Sequence, residues 1–192
     1  MRRFAPAVIL AGLFAPQPVL ASDYCDALWV HRNMLFHRAG YCFASQLGQS
    51  LFGNAGCMTA DAGALQVNRA EVARLREYEG WIGCRTSTSR NPTAAMRSLK
   101  ARLDRLIDIP EPIEGGFACW GYTGPAFALH AGTGAGTPVI GRMDPGLSAI
   151  TEYWPKNGWT YIVVSTGPGG SVVAEGWTTA QISDRQCRAV AG

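Results

Sequence analysis

The stretch AITEYWPKNGWTYIVV, Ala149 to Val164, decides how this chain is read. Two runs rich in β-branched and aromatic residues, Ala149 to Trp154 and Trp159 to Val164, flank Asn157-Gly158. Asn and Gly tolerate positive φ, so the backbone can reverse in two residues with a twist that suits paired strands. The stretch therefore predicts a β-hairpin. Downstream, Val172 to Trp177 has the same strand composition. Upstream, Phe127 to His130 and Val139-Ile140 read as short strands, separated by the loop Thr133 to Gly136 and followed by the turn Asp144-Pro145-Gly146. Five short strands at this spacing predict a small barrel within residues 117–192.

The chain N-terminal to the barrel changes character. Asp23 is a candidate N-cap for a helix that stops at Gly40, a suitable C′ residue. In that helix Leu28 and Leu35, like Trp29 and Phe36, stand seven apart and share an apolar face. Asn68 with Glu71 three residues on resembles a capping box. The helix it opens would bury Val72, Leu75 and Tyr78 and stop near Gly80. Gly40 to Phe43 and Leu51 to Asn54 read as irregular structure pinned by cysteines. Arg85 to Arg90 is a polar connector, and Asn91-Pro92 supplies an N-cap and an N1 proline for a further helix. Met96, Leu99, Leu103 and Leu106 follow at helical spacing, with an end near Asp108 because of Pro110. Pro110 to Gly116 reads as a linker.

At the N-terminus, Arg2-Arg3 precede an apolar run from Phe4 to Ala15, twelve residues long. A bilayer span needs roughly 20. Pro16, Pro18 and the small residues around Ala21 complete the pattern of an export leader, residues 1–21, cut between Ala21 and Ser22. The remainder has fifteen Lys and Arg against fourteen Asp and Glu, hence a net charge of +1 and no basic stripe for nucleic acid. No second apolar segment reaches membrane length. All six cysteines, Cys25, Cys42, Cys57, Cys84, Cys119 and Cys187, lie in the exported part. An even count in an oxidising compartment reads as three disulfides. Cys119 precedes the strands and Cys187 follows them, so these two are a natural pair; the other four allow three connectivities.

Two resemblances follow from particular residues. Arg32-Asn33, then Phe36-His37-Arg38-Ala39-Gly40, then Tyr41-Cys42-Phe43 resemble the extracellular bacterial YARHG domain over about Leu28 to Leu75, with Phe52 and Asn68 near later family positions. The motif histidine is replaced by Ala39. This resemblance implies an envelope setting. Ala128 to Gly132, Thr137 to Gly141, Asn157-Gly158-Trp159 and Glu175-Gly176-Trp177 are similar to bacterial Src-homology-3-like (SH3-like) domains over Gly121 to Ile182, with Ser165 to Ser171 as an insertion. That resemblance implies a binding or accessory module, with cell-wall peptides as one ligand class. Together the halves resemble a family of exported bacterial proteins.

Catalytic chemistry finds little purchase. Cys25, His31, His37 and Cys42 have metal-ligand chemistry but no ligand spacing, and disulfides compete for the thiols. A Cys–His hydrolase needs a free thiolate. His130 lies on a strand and reads as structural. No G-x-S-x-G elbow, Walker loop or haem motif occurs. Glu71, Glu77 and Glu79 alternate with Arg69, Arg74 and Arg76 as a solvated face, and no carboxylate shows an apolar setting. Arg32 and Asn33 sit in an apolar helix and read as structural polar residues bonded to loop carbonyls between Gly40 and Asn54. The aromatics Tyr153, Trp154, Trp159, Tyr161 and Trp177 exceed what a small core needs and are the candidate ligand-binding residues.

The sequence thus predicts an α+β chain: leader 1–21; α-rich, disulfide-pinned domain 22–90; amphipathic helix and linker 91–116; all-β SH3-like barrel 117–192. The expected function is non-enzymatic, without cofactor or metal. The chain would reside in the periplasm or outside the cell and bind cell-wall peptide or glycan through the barrel aromatics. The rival is a protein–protein module or an inhibitor or accessory of a cell-wall enzyme. The partner is peptidoglycan or an envelope protein, with no nucleic acid and no membrane span.

Overall fold

A computed structural model describes residues 19–192, giving four α-helices followed by a seven-stranded antiparallel sheet. The expected leader, residues 1–21, lies outside the described residues up to residue 18. No helix among the described residues is long and apolar enough to cross a membrane.

Helix α1 runs Val19–Arg38. Asp23 therefore lies inside it and is not its cap. Leu28, Trp29, Val30, His31, Asn33, Met34 and Phe36 are all buried, so the helix is wrapped on most sides instead of showing one apolar stripe. Its end is a Schellman motif: the Tyr41 N–H donates to the Phe36 carbonyl and the Gly40 N–H to that of His37, each at 3.0 Å. Gly40 takes φ of +87°, which L-residues adopt only with strain.

Helix α2, Gln46–Phe52, occupies part of the segment expected to be irregular. Ser45 caps it, and Gly48 lets it lie on Phe43, where a Cβ would meet the ring at 2.6 Å. Asn54 closes the loop by accepting from the Phe43 N–H and donating to the Phe43 carbonyl.

Helix α3, Arg69–Trp81, starts at Asn68, whose side chain accepts from the Glu71 N–H as expected. Helix α4, Ala94–Leu103, is capped by Thr93, whose side chain accepts from the Met96 N–H; Asn91-Pro92 lies just outside, and the helix ends earlier than Asp108. Its Met96, Leu99 and Leu103, with Leu106 beyond it, are buried.

The strands are β1 (Pro112–Tyr122), β2 (Phe127–His130), β3 (Val139–Met143), β4 (Ser148–Tyr153), β5 (Thr160–Ser165), β6 (Val172–Thr178) and β7 (Cys187–Ala191). Their order is β3-β2-β6-β5-β4-β1-β7. The expected barrel is thus an open sheet with β3 and β7 at its edges. Most of the expected linker is strand, because Glu111 and Pro112 pair with the end of β4; the Trp154 N–H donates to the Glu111 carbonyl at 2.8 Å. The hairpin β4–β5 turns at Asn157 and Gly158, with φ of +53° and +77°. Both N–H···O bonds join Lys156 to Trp159, as a two-residue turn requires.

Strand alternation gives the sheet two apolar faces. Ile162, Val164, Cys119, Leu129, Met143 and Ala149 form one cluster. Tyr161 and Trp177 instead join a core with Trp29, Met34, Leu47, Met96 and Leu103 from the helices. Helices and sheet therefore share their main core.

Arg38, the arginine of the YARHG-like motif, reinforces that junction. Its guanidinium donates to the carbonyls of Leu103 (2.8 Å), Leu106 (2.6 Å) and Ile107 (2.8 Å). Leu103 closes α4 and Leu106 and Ile107 lie just beyond it, where intrahelical partners run out. Arg38→Ala should lower unfolding free energy by about 2 kcal/mol, since three acceptors lose a charged donor that water replaces only in part. Urea unfolding checks this; an unchanged midpoint with an unchanged slope would count against it.

Candidate functional site: an aromatic cleft between helix and sheet

Arg74, Glu77, Tyr78 and Trp81 stand at i, i+3, i+4 and i+7 on α3, so one face of the helix presents all four. That face is held in position from three directions. Arg32 on α1 donates Nε to both carboxylate oxygens of Glu79 at 3.0 Å. The Cys25–Cys84 disulfide ties the exit of α3 to α1. Tyr24 meets Tyr78 edge to face, with hydroxyls 3.0 Å apart. Burial, followed by the Tyr78 hydroxyl, pushes the Tyr24 phenol well above its ordinary value.

The opposite wall comes from the sheet: Glu111, Pro112 and Ile113 entering β1, and Trp154 leaving β4. Between the walls lies a cleft of about 430 Å³. Arg74 and Glu111, from the two walls, join across it in a bidentate pair, both bonds 2.6 Å. The Glu111 bond raises the Arg74 guanidinium still further from neutrality. At the rim Trp81 is 65% and Trp154 53% exposed, although their type usually finds cover. Trp81 lies nearly parallel to Tyr78, with centroids 6.0 Å apart.

Of the five candidate binding aromatics, the cleft contains Trp154. Trp177 and Tyr161 are buried in the helix–sheet core and present no open ring. Tyr153 and Trp159 are half-buried and pack against the same core. Alternation along the strand puts Tyr153 against the core and leaves Trp154, the next residue, in the open. Which side of the sheet the helices cover was not written in it. Trp81 was missed and Tyr78 was assigned to the core: their spacing with Arg74 was visible, but the interspersed charges read as a solvated face.

The polar expectations change as well. Arg32 bonds Glu79 and not a loop carbonyl, while Asn33 donates to the Trp29 carbonyl of its own helix at 2.8 Å. The loop contacts expected of that pair are made by Asn54. Glu71, Glu111 and Glu175 are buried, contrary to the reading that no carboxylate has an apolar setting. Each is answered by a cation from another element. Lys156 lies 3.3 Å from Glu71, Arg74 faces Glu111, and Arg102 and Arg105 lie 3.0 and 3.4 Å from Glu175. Burial raises the Glu71 carboxyl above its ordinary value, with Lys156 opposing.

The six cysteines form Cys25–Cys84, Cys42–Cys57 and Cys119–Cys187, which confirms the proposed last pair and selects one of the three open connectivities. Cys119 lies within β1 and Cys187 opens β7, so that bridge staples neighbouring strands. His130 Nδ1 is bonded to the Thr137 carbonyl at 3.0 Å, and its ring packs on Trp159. Among the described residues no group of three His, Cys, Asp or Glu side chains is placed to hold a metal ion.

Comparison with known families gives two matches. Residues 8–79 match the YARHG domain. Residues 83–192 match a domain of unknown function, DUF4453. No curated protein and no solved structure matches the chain. Since the second match covers more than half of the chain, this protein belongs to the DUF4453 family, with a YARHG domain ahead of it.

Proposed function

We propose that the chain is an exported, non-enzymatic binding protein whose cleft between α3 and the β1–β4 wall captures a ligand of the bacterial cell wall. The observation that carries the reading is the pair of exposed indoles, Trp81 from α3 and Trp154 from the end of β4, lining one cleft together with the Arg74–Glu111 ion pair. Large rings held open on rigid elements give contact area at little entropic cost, and such anchors dominate recognition energies.

Export is supported by the leader pattern in residues 1–21 and by three disulfides, which persist in oxidising compartments. The non-enzymatic reading is supported by the engagement of the reactive groups. The thiols are all bridged, His130 is tied to a carbonyl, and the three buried glutamates face cations. We read the sheet as an opened relative of the Src-homology-3-like barrel, coiled around its own apolar cluster. A second reading, docking on an envelope protein, draws on the edge strand β7, where Val190 is 48% exposed.

Co-sedimentation of residues 22–192 with purified sacculi separates the two. Wild type should pellet, and the double variant Trp81→Ala/Trp154→Ala should lose about tenfold or more in affinity with little loss of stability, since both rings are largely exposed. Wild type remaining in the supernatant would overturn wall binding. Undiminished pelleting of the double variant would remove the cleft from it.

A further inference from the structure

Resting on that cleft, we infer that its ligand is an uncharged saccharide chain stacked between Trp81 and Trp154, and not a peptide strand. Three features of the cleft support this.

The first is the state of its backbone. A peptide that binds by adding a strand needs unpaired N–H and C=O groups along the wall. Here the Glu111 carbonyl already accepts from the Trp154 N–H. Pro112 has no N–H to offer. The Ile113 carbonyl accepts from the Tyr24 hydroxyl at 3.3 Å. The facing wall is α3, whose backbone bonds are internal to the helix. An extended peptide would find no ladder here.

The second is charge. Arg74 and Glu111 neutralise each other within the lining. Beside the cleft, Glu79 is satisfied by Arg32. Among the described residues Glu77 makes no ion pair, so the net character of the lining is one negative charge. A phosphate-bearing polymer or a carboxylate-rich peptide would be repelled instead of drawn in.

The third is the combination of surfaces. A pyranose ring has an apolar face of C–H bonds with slight positive charge, and a rim of hydroxyls. The indole face is electron-rich, so the C–H face of a sugar settles on it favourably. Hydroxyls at the rim need partners that both accept and orient. The exposed Glu77 carboxylate accepts, and the half-exposed Arg74 guanidinium donates in a fixed plane. Two indoles on opposite walls suit consecutive rings of one chain.

The test is a titration of residues 22–192 with a β-1,4-linked N-acetylglucosamine hexamer, read by tryptophan emission, beside a parallel titration with a wall stem tetrapeptide. The hexamer should change the emission saturably, with an affinity that holds between about 0.05 and 0.5 M salt because no charge is neutralised. Trp81→Ala and Trp154→Ala should each weaken it about tenfold or more while leaving the melting curve near wild type. Trp154→Phe, which keeps a π face, should restore much of the loss. Binding of the peptide alone, sensitive to the same substitutions, would overturn the saccharide assignment and leave the cleft standing. Silence of both probes together with failure to bind sacculi would remove the cleft reading itself. Saccharide binding indifferent to both indoles would place the ligand elsewhere and overturn the proposal.

Discussion

Truncation of Trp177 to alanine should destabilise the protein by about 4 kcal/mol, the range found when a fully buried indole is removed and its site collapses only in part. Trp177 has no exposed surface. Its ring meets Tyr161 edge to face at 5.3 Å, in the core that α1, α2 and α4 build with the sheet. Its Nε1 also donates to the Asp108 carbonyl at 2.9 Å, just beyond α4. The substitution thus opens a void between the helical and β portions and orphans an acceptor that bridges them. For a chain of this length the melting temperature should fall by roughly 10–15 °C. Trp154→Ala is the internal control, since a ring more than half in water should cost under about 1 kcal/mol. Calorimetry decides the matter: comparable losses at the two positions would show that Trp177 is not the joint described here.

Acid should weaken the same joint through His31. The imidazole is 2% exposed, beside Tyr153 at a centroid distance of 5.9 Å, with Nδ1 unpaired. Burial lowers it from 6.5 to about 3; a bond to the Pro110 carbonyl opposes this and the Arg102 charge adds to it. The unfolded chain takes up a proton below about pH 6.5 while the native state refuses it, so stability is lost as pH falls between these values. The loss amounts to ~2 kcal/mol at pH 5 and ~3 kcal/mol at pH 4, relative to neutrality. His31→Gln, which keeps a donor for Pro110 and does not titrate, should flatten that part of the curve. Urea unfolding from pH 7 to 4 compares the two proteins. Parallel stability profiles would show that His31 is not the group responsible.

Local chemistry was the readable part of this fold. Gly40 ends α1, Asn68 caps α3 and Asn157-Gly158 turns the β4–β5 hairpin, because each depends on a few bonded neighbours. The apolar spacing of α4 was equally plain. What depended on distant partners was hidden. An open sheet and a closed barrel share the same strand alternation and differ in whether the edge strands pair with each other, here β3 and β7, which do not. Here α1, α2 and α4 cover Tyr161 and Trp177, so rings that would be surplus in a lone barrel become core. The carboxylates follow the same logic. Glu71 looks solvated beside Arg69 and Arg74, and only the arrival of Lys156 from the β4–β5 turn, far along the chain, closes over it. The cleft was half legible. Trp154 was singled out, but its counterpart Trp81 stands on α3, more than seventy residues earlier, and no periodicity within one segment reports a groove between two.

The contact of Arg38 with Leu103, Leu106 and Ile107 carries a consequence for heredity. The arginine belongs to the stretch matching one family and the three acceptors to the stretch matching another, and oily side chains interlock on both sides of that seam. Transplanting either stretch alone into a new gene would lay bare a sticky surface and strand a cation without its cradle. Moved together, the two stretches would keep both the cation and its cradle, since they share one core.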